Sequence, residues 1–227
     1  MDRTITGLKA QKRNPNRINV YLDGEYAFAV ARIVGAWLYD GLVLSEERIH
    51  DLQQQDTREV AFQRAYRFLS YRPRSENEVQ RKLVELGFDQ PVIAETLDRL
   101  RTSGLLGDTQ FARTWVENRS TFRPRSHRFL KMELRQKGVE DEVIQQALDE
   151  TVDEDELAYQ AALRRAPRWA KLDRAEFRER LTAYLARLGF SYGTISDLIP
   201  RVWSDLQAAG ADDTTVVNTE TDEESNE

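Results

Sequence analysis

The sequence predicts a mainly α protein: three tandem three-helix repeats form an elongated, curved array, preceded by a small N-terminal element containing a β-hairpin. Three observations predict this. The quartet Arg-Pro-Arg-Ser occurs at 72–75 and again at 123–126. Apolar residues and glycine stay in phase at an offset of 51 residues. A single Asp-Gly pair splits two alternating apolar runs near the start.

The N-terminal element covers 1–56. Ile18, Val20 and Leu22 alternate before Asp23-Gly24, and Tyr26, Phe28 and Val30 alternate after it, the pattern of a two-residue hairpin. Ile5 and Leu8 predict one more strand in "TITGLKAQK". A helix containing Ala31 to Tyr39 and another starting after Ser45 are expected to join this element to the repeats. A sheet this small needs a packing partner, so the first repeat is expected to supply one.

The repeats are expected at 57–106, 107–157 and 158–209. At the 51-residue offset the in-phase sets are Val79/Leu130/Leu181, Leu83/Leu134/Leu185, Gly87/Gly138/Gly189, Ile93/Ile144/Ile195 and Leu97/Leu148/Ile199, with Arg72/Arg123/Arg174 as a sixth. Around each glycine the apolar spacing is helical on both sides, so a middle and a last helix meet there, with glycine ending the middle one. A first helix carries Val60, Ala61, Ala65 and Phe68 in one copy, Phe111, Ala112, Trp115 and Val116 in the next, and Ala162, Leu163 and Ala166 in the third. Asp108 is the expected N-cap of the second of these. Ser75 with Glu78 makes a capping box, and Asp173 with Glu176 the analogous one; the second copy has Phe129 in the acid's place and rests on Ser126 alone. Proline and serine of the repeated quartet thus build a corner.

Composition narrows the function. There is no cysteine, which excludes disulfides and thiolate metal sites. No long apolar run exists to cross a membrane or lead a secreted chain, so a cytoplasmic protein is expected. The net charge of −6 is concentrated at one end: 205–227 hold eight acids and no Lys or Arg, leaving +2 for 1–204. Residues 210–227 read as an acidic, disordered tail. His50 and His127 lie 77 positions apart without matching acids, and no phosphate loop or nucleophile elbow is present. No catalytic residue, metal site or cofactor is expected. Trp37, Trp115, Trp169 and Trp203 each sit in an apolar helical pattern and are expected to pack internally.

The cations at the corners are the candidate contact residues: Arg72, Arg74, Arg123 and Arg125, then Arg81, Lys82, Arg128, Lys131 and Arg135. They are either solvated or aimed at an anionic partner. Their echo from copy to copy also fits a DNA-binding helical repeat with helix-turn-helix-like units, although 61–152 hold 16 basic and 14 acidic residues, a near balance.

Several motifs together resemble the RecX family, bacterial regulators of the recombinase RecA. They are Arg72, Ser75, Glu78, Val79, Lys82 and Leu83; then Asp108, Phe111, Ala112, Trp115 and Arg119; then Glu133, Leu134, Lys137, Gly138 and Val139. The third copy matches less well, keeping Leu181, Leu185, Gly189 and Ile195 with few of the polar positions. The resemblance implies a non-enzymatic, monomeric protein that binds RecA and the RecA–DNA filament. It further implies that filament extension, strand exchange, ATP hydrolysis and the co-protease activity behind the SOS response are modulated, most simply inhibited. A repetitive surface suits a polymer, because weak contacts to successive subunits add.

Overall fold

The computed structural model describes residues 2–151 and 153–215. Among them are four strands: β1 (Arg3–Ala10), β2 (Arg17–Leu22), β3 (Glu25–Ala31) and β4 (Val43–Leu44). Nine α-helices follow: α1 (Glu46–Leu69), α2 (Glu76–Glu85), α3 (Gln90–Thr102), α4 (Asp108–Phe122), α5 (His127–Gln136), α6 (Asp141–Asp149), α7 (Glu154–Arg165), α8 (Arg174–Arg187) and α9 (Tyr192–Thr215). Contacts divide the chain into two compact units, Met1–Gly107 and Asp108–Glu227.

The first unit opens with an antiparallel sheet of strand order β3-β2-β1-β4. Asp23 (φ 51°) and Gly24 (φ 92°) both take the left-handed conformation, which matches a tight turn to the twist of the flanking strands. Ile5, Val20, Leu22, Phe28 and Val30 face inward and meet Leu52 of α1. The helix expected over Ala31–Tyr39 is absent: Ala31 ends β3 and residues 32–37 form turns. After the buried Ala31 only Val34, Gly35 and Leu38 of that stretch turn toward the core, while Ile33 (68% exposed), Trp37 and Tyr39 face solvent. Trp37 therefore departs from the packing expected of it, lying under the Arg48 guanidinium at 4.8 Å. The other three tryptophans pack inside, Trp115 beside Phe111, Trp169 beside Tyr184 and Trp203 beside Phe177.

A buried aspartate ties sheet to helix. Asp56 of α1 accepts from the Ala31 N–H at 2.6 Å and pairs with Arg17 at 2.7 Å, and Arg17 also donates to the Ala29 carbonyl. The acid is 9% exposed, so both its oxygens depend on these donors.

The periodic residues are the cores of the repeats. Val79, Leu130 and Leu181, Leu83, Leu134 and Leu185, and Ile93, Ile144 and Ile195 are all buried to 1% exposure or less. Gly87, Gly138 and Gly189 stand just past α2, α5 and α8 with φ of 82°, 78° and 93°, so all three corners use the same left-handed turn. Each repeat closes its own apolar cluster. Leu163 is an exception to the expected core, being 38% exposed; Leu157, Ala158, Ala161 and Ala162 form the buried stripe of α7 instead.

The third repeat also departs from the period. Its middle helix α8 has 14 residues where α2 and α5 have 10, one extra turn added at the start. The in-phase residue Arg174 consequently opens α8, with Asp173 as N-cap, whereas Arg72 and Arg123 precede their caps by three residues. Asp108 likewise lies inside the first turn of α4 rather than at its cap. Past Gly210, α9 continues to Thr215, and residues 216–227, the rest of the expected disordered tail, lie outside the described residues.

Candidate partner-binding surface

At the first corner the chain leaves α1 through "SYRPRS" and enters α2. Ser75 accepts from the Glu78 N–H, Glu78 accepts from the Ser75 N–H, and the capping box is complete. Arg72 forks onto both oxygens of Glu78, at 2.9 and 3.4 Å, and donates to the Pro73 carbonyl. Its cation is thus part of the cap. Arg74 lies flat over the Phe68 ring at 3.9 Å, and burial, helped by the nearby Arg72 charge, draws its pKa down from the usual guanidinium value. Lys82 pairs with Glu85 at 2.9 Å, while Arg81 is exposed and reaches no more than the Asn77 carbonyl at 3.5 Å.

The second corner, "TFRPRS", is wired differently. Ser126 caps α5 by accepting from the Phe129 N–H, with no acid to complete a box. The acid comes from the next turn. Glu133 accepts from Trp115 Nε1 and Arg119 Nε, both at 2.9 Å, and faces Arg125 at 3.4 Å. Arg119 covers the Trp115 ring as well. The third repeat seals this corner: the Ser126 N–H donates to the Leu188 carbonyl, the His127 N–H to Glu154, and Arg164 to the Thr121 carbonyl. A Cβ on Gly189 would stand 2.8 Å from the Phe129 ring and nearer still to the Ser126 hydroxyl, so only glycine fits the seam.

Of the nine cations singled out by sequence, Arg72, Lys82, Arg125 and Arg135 are spent on carboxylates within the chain. Arg135 forks onto Asp141 at 2.6 and 2.7 Å, and this hydrogen bonding holds the Asp141 carboxyl below the ordinary carboxylate range. Lys131 is half-buried, its charge felt at the same aspartate. Arg123 and Arg128 remain at the surface without an ion pair among the described residues, Arg128 leaning toward the Phe129 ring at 5.6 Å. Phe122, directly before Arg123, is 73% exposed, and in the same phase of the first corner Tyr71 is 71% exposed. Sequence reasoning passed over these two aromatics, although both stand in front of the repeated quartet.

Four stretches of the chain match family descriptions: residues 3–43 "Regulatory protein RecX N-terminal domain", 61–100 "RecX, first three-helix domain", 108–148 "RecX, second three-helix domain" and 153–199 "RecX, third three-helix domain". The chain belongs to the RecX family. Proteins named "Regulatory protein RecX" resemble it over most of their length: that of Bacillus subtilis is 34% identical over 87% of this chain and 76% of its own. That of Clostridium acetobutylicum is 27% identical over 90% and 98%. A crystal structure titled as regulatory protein RecX superposes with a TM-score of 0.67 at 28% identity, covering 86% of this chain and 98% of the other. The family match thus covers the sheet and the weakly matching third repeat as well as the first two repeats. Within this chain, Arg72, Ser75, Glu78, Trp115, Arg119 and Glu133 hold the corners together, and the exposed positions beside them are what a partner can reach. Its family role is regulatory.

Proposed function

We propose that this protein binds the RecA recombinase and the RecA–DNA filament and limits filament extension, and with it strand exchange, ATP hydrolysis and the co-protease activity behind the SOS response. It acts in the cytoplasm, as a monomer and without catalysis of its own. Family membership supports the regulatory part. The observation that carries the contact is the second corner, where exposed Phe122 directly precedes Arg123 and the first turn of α5 carries Arg128, neither arginine having an ion pair among the described residues. Arginine and aromatic side chains dominate the energetics of protein interfaces, and a large exposed phenylalanine costs solubility unless something covers it. At the first corner only the aromatic recurs, as Tyr71, because Arg72 is held by Glu78 and Asn77 stands in the place of Arg128.

The test is a double variant, Arg123→Glu with Arg128→Glu, titrated onto RecA assembled on single-stranded DNA while ATP hydrolysis is followed. Binding about tenfold weaker or more, equivalent to ~1.4 kcal/mol, is expected with an unchanged thermal midpoint. Full inhibition by the variant would overturn the assignment of the corner. The alternative, a DNA-binding helical repeat, has fewer cations to use, because four of the nine are already paired. It requires affinity for bare DNA to fall with salt at about −0.9 log units per log unit for each phosphate neutralised.

A further inference from the structure

The third repeat carries a basic stretch of its own. Between Arg164 and Arg187 stand eight Lys and Arg against three acids, Asp173, Glu176 and Glu179. A groove of about 840 Å³ runs between α8 and α9 in this stretch, floored by Ala175, Ala183, Ile199 and Pro200 and edged by Arg174 and Arg178. In the second repeat the ion pair Arg135–Asp141 bridges the equivalent pair of helices. The residues 51 positions on are Ala186 and Tyr192, which cannot bridge, and the gap stays open. Arg174 and Arg178 make no ion pair or hydrogen bond among the described residues. Pro200 lies inside α9 and has no N–H to give the Ser196 carbonyl, so that oxygen, on a residue lining the groove, lacks its helical donor. The groove therefore offers two cations without an ion pair among the described residues, beside the single acid Glu179, and a carbonyl that has lost its i+4 donor, along a largely apolar floor.

The chain itself contains the matching ligand. Residues 216–227, "VVNTETDEESNE", carry five acids and no Lys or Arg. They begin where α9 ends, 15 residues beyond Pro200, which is ~22 Å of helix at 1.5 Å per residue. The seven to nine extended residues from Thr215 to Asp222, Glu223 and Glu224 span up to ~23–32 Å, enough to bring these acids back alongside Arg178 and Arg174. Tethering presents them at an effective concentration in the millimolar range, so even weak ion pairing fills the groove.

We propose that the acidic segment 216–227 docks in the α8/α9 groove of its own chain, its carboxylates on Arg174 and Arg178 and its backbone N–H groups facing the Ser196 carbonyl. The tail then masks the two arginines that edge this groove. A stronger polyanion, or high salt, uncovers it. The inference does not depend on the identity of the regulated partner.

The chain has no cysteine, so a nitroxide on Ser225→Cys in the full-length protein is unique. Amide signals of Arg174, Arg178 and Ser196 are expected to broaden selectively. They should recover at ~1 M salt, where the screening length is about 3 Å, and in the Arg174→Glu, Arg178→Glu double variant. A second full-length variant leaves the folded unit untouched: Glu220→Gln, Asp222→Asn, Glu223→Gln, Glu224→Gln and Glu227→Gln together, carrying the same label, should abolish the broadening. Four results would overturn the proposal. They are no broadening at all, broadening centred on the Arg123–Arg128 corner, broadening that grows with protein concentration and so reports a neighbouring copy, and broadening that survives either set of substitutions.

Discussion

At the first corner Arg72 is clamped by an acid three residues into its own helix, and at the second the same tetrapeptide is held by an acid two turns in, with a tryptophan and two arginines sharing it. Identical residues produce the same backbone corner and a different use of the cations. The substitution of Phe129 for the capping glutamate is the cause. Without Glu78's counterpart, Arg123 has no carboxylate within reach, and the Phe129 ring instead packs against Gly189 of the next repeat. The repeated peptide dictates where the chain turns; the residue at the third helical position decides whether the arginine is structural or available.

The sharpest way to break the comparison is at the glycines. Gly189→Ala forces a left-handed alanine and a clash with Ser126 and Phe129, and should cost about 3 kcal/mol, from about 1–2 of conformational strain plus overpacking. Gly87→Ala meets open space and should cost only the strain, about 1–2 kcal/mol. Urea midpoints of the two variants should therefore be well separated. Next in size is Glu133→Ala, which strips the acceptor from Trp115, Arg119 and Arg125 and should cost about 2 kcal/mol, against about 1 for Glu78→Ala, where Ser75 still caps α2. Phe122→Ser should leave stability within ~0.5 kcal/mol and weaken RecA-filament binding several-fold, a result that would place the aromatic in the interface rather than the core. The smallest effect is expected at Asp141. Its folded pKa lies below the unfolded value, so the stability it contributes is present above the usual carboxylate range and is lost as pH falls through the lowered value. The difference in urea midpoint between wild type and Asp141→Asn should shrink as pH drops below about 4, and a difference that persisted in acid would exclude the pair as its source.

What the sequence made legible was local or periodic. Asp23-Gly24, the Ser75–Glu78 box and the in-phase leucines act through neighbours a few residues away or through repetition, and a linear reading catches both. The Ala31–Tyr39 segment misled because its apolar residues follow a helical spacing while, past the end of β3 at Ala31, only Val34 and Leu38 find core to pack on. The extra turn of α8 was invisible because the helix starts four residues earlier on a chain of unchanged length, which leaves every apolar position in phase. Glu133 and Asp56 could not be found by spacing, since each gathers donors 8 to 39 positions away. The same holds for the contact surface. Nine cations looked alike in sequence, and only the placement of distant carboxylates separated the engaged from the free.

The Asp56 link bears on how the molecule can be dissected. Because one carboxylate near the middle of α1 serves the sheet while the following turns serve the first three-helix repeat, no cut through this region leaves two self-sufficient pieces. A fragment starting at Glu46 would keep its helix yet strand an acid and a bare Leu52 on the side where the strands had been. Experiments that assign a role to the leading strands should accordingly alter Arg17 or the hairpin in place, since deletion would disable the adjoining helices along with them.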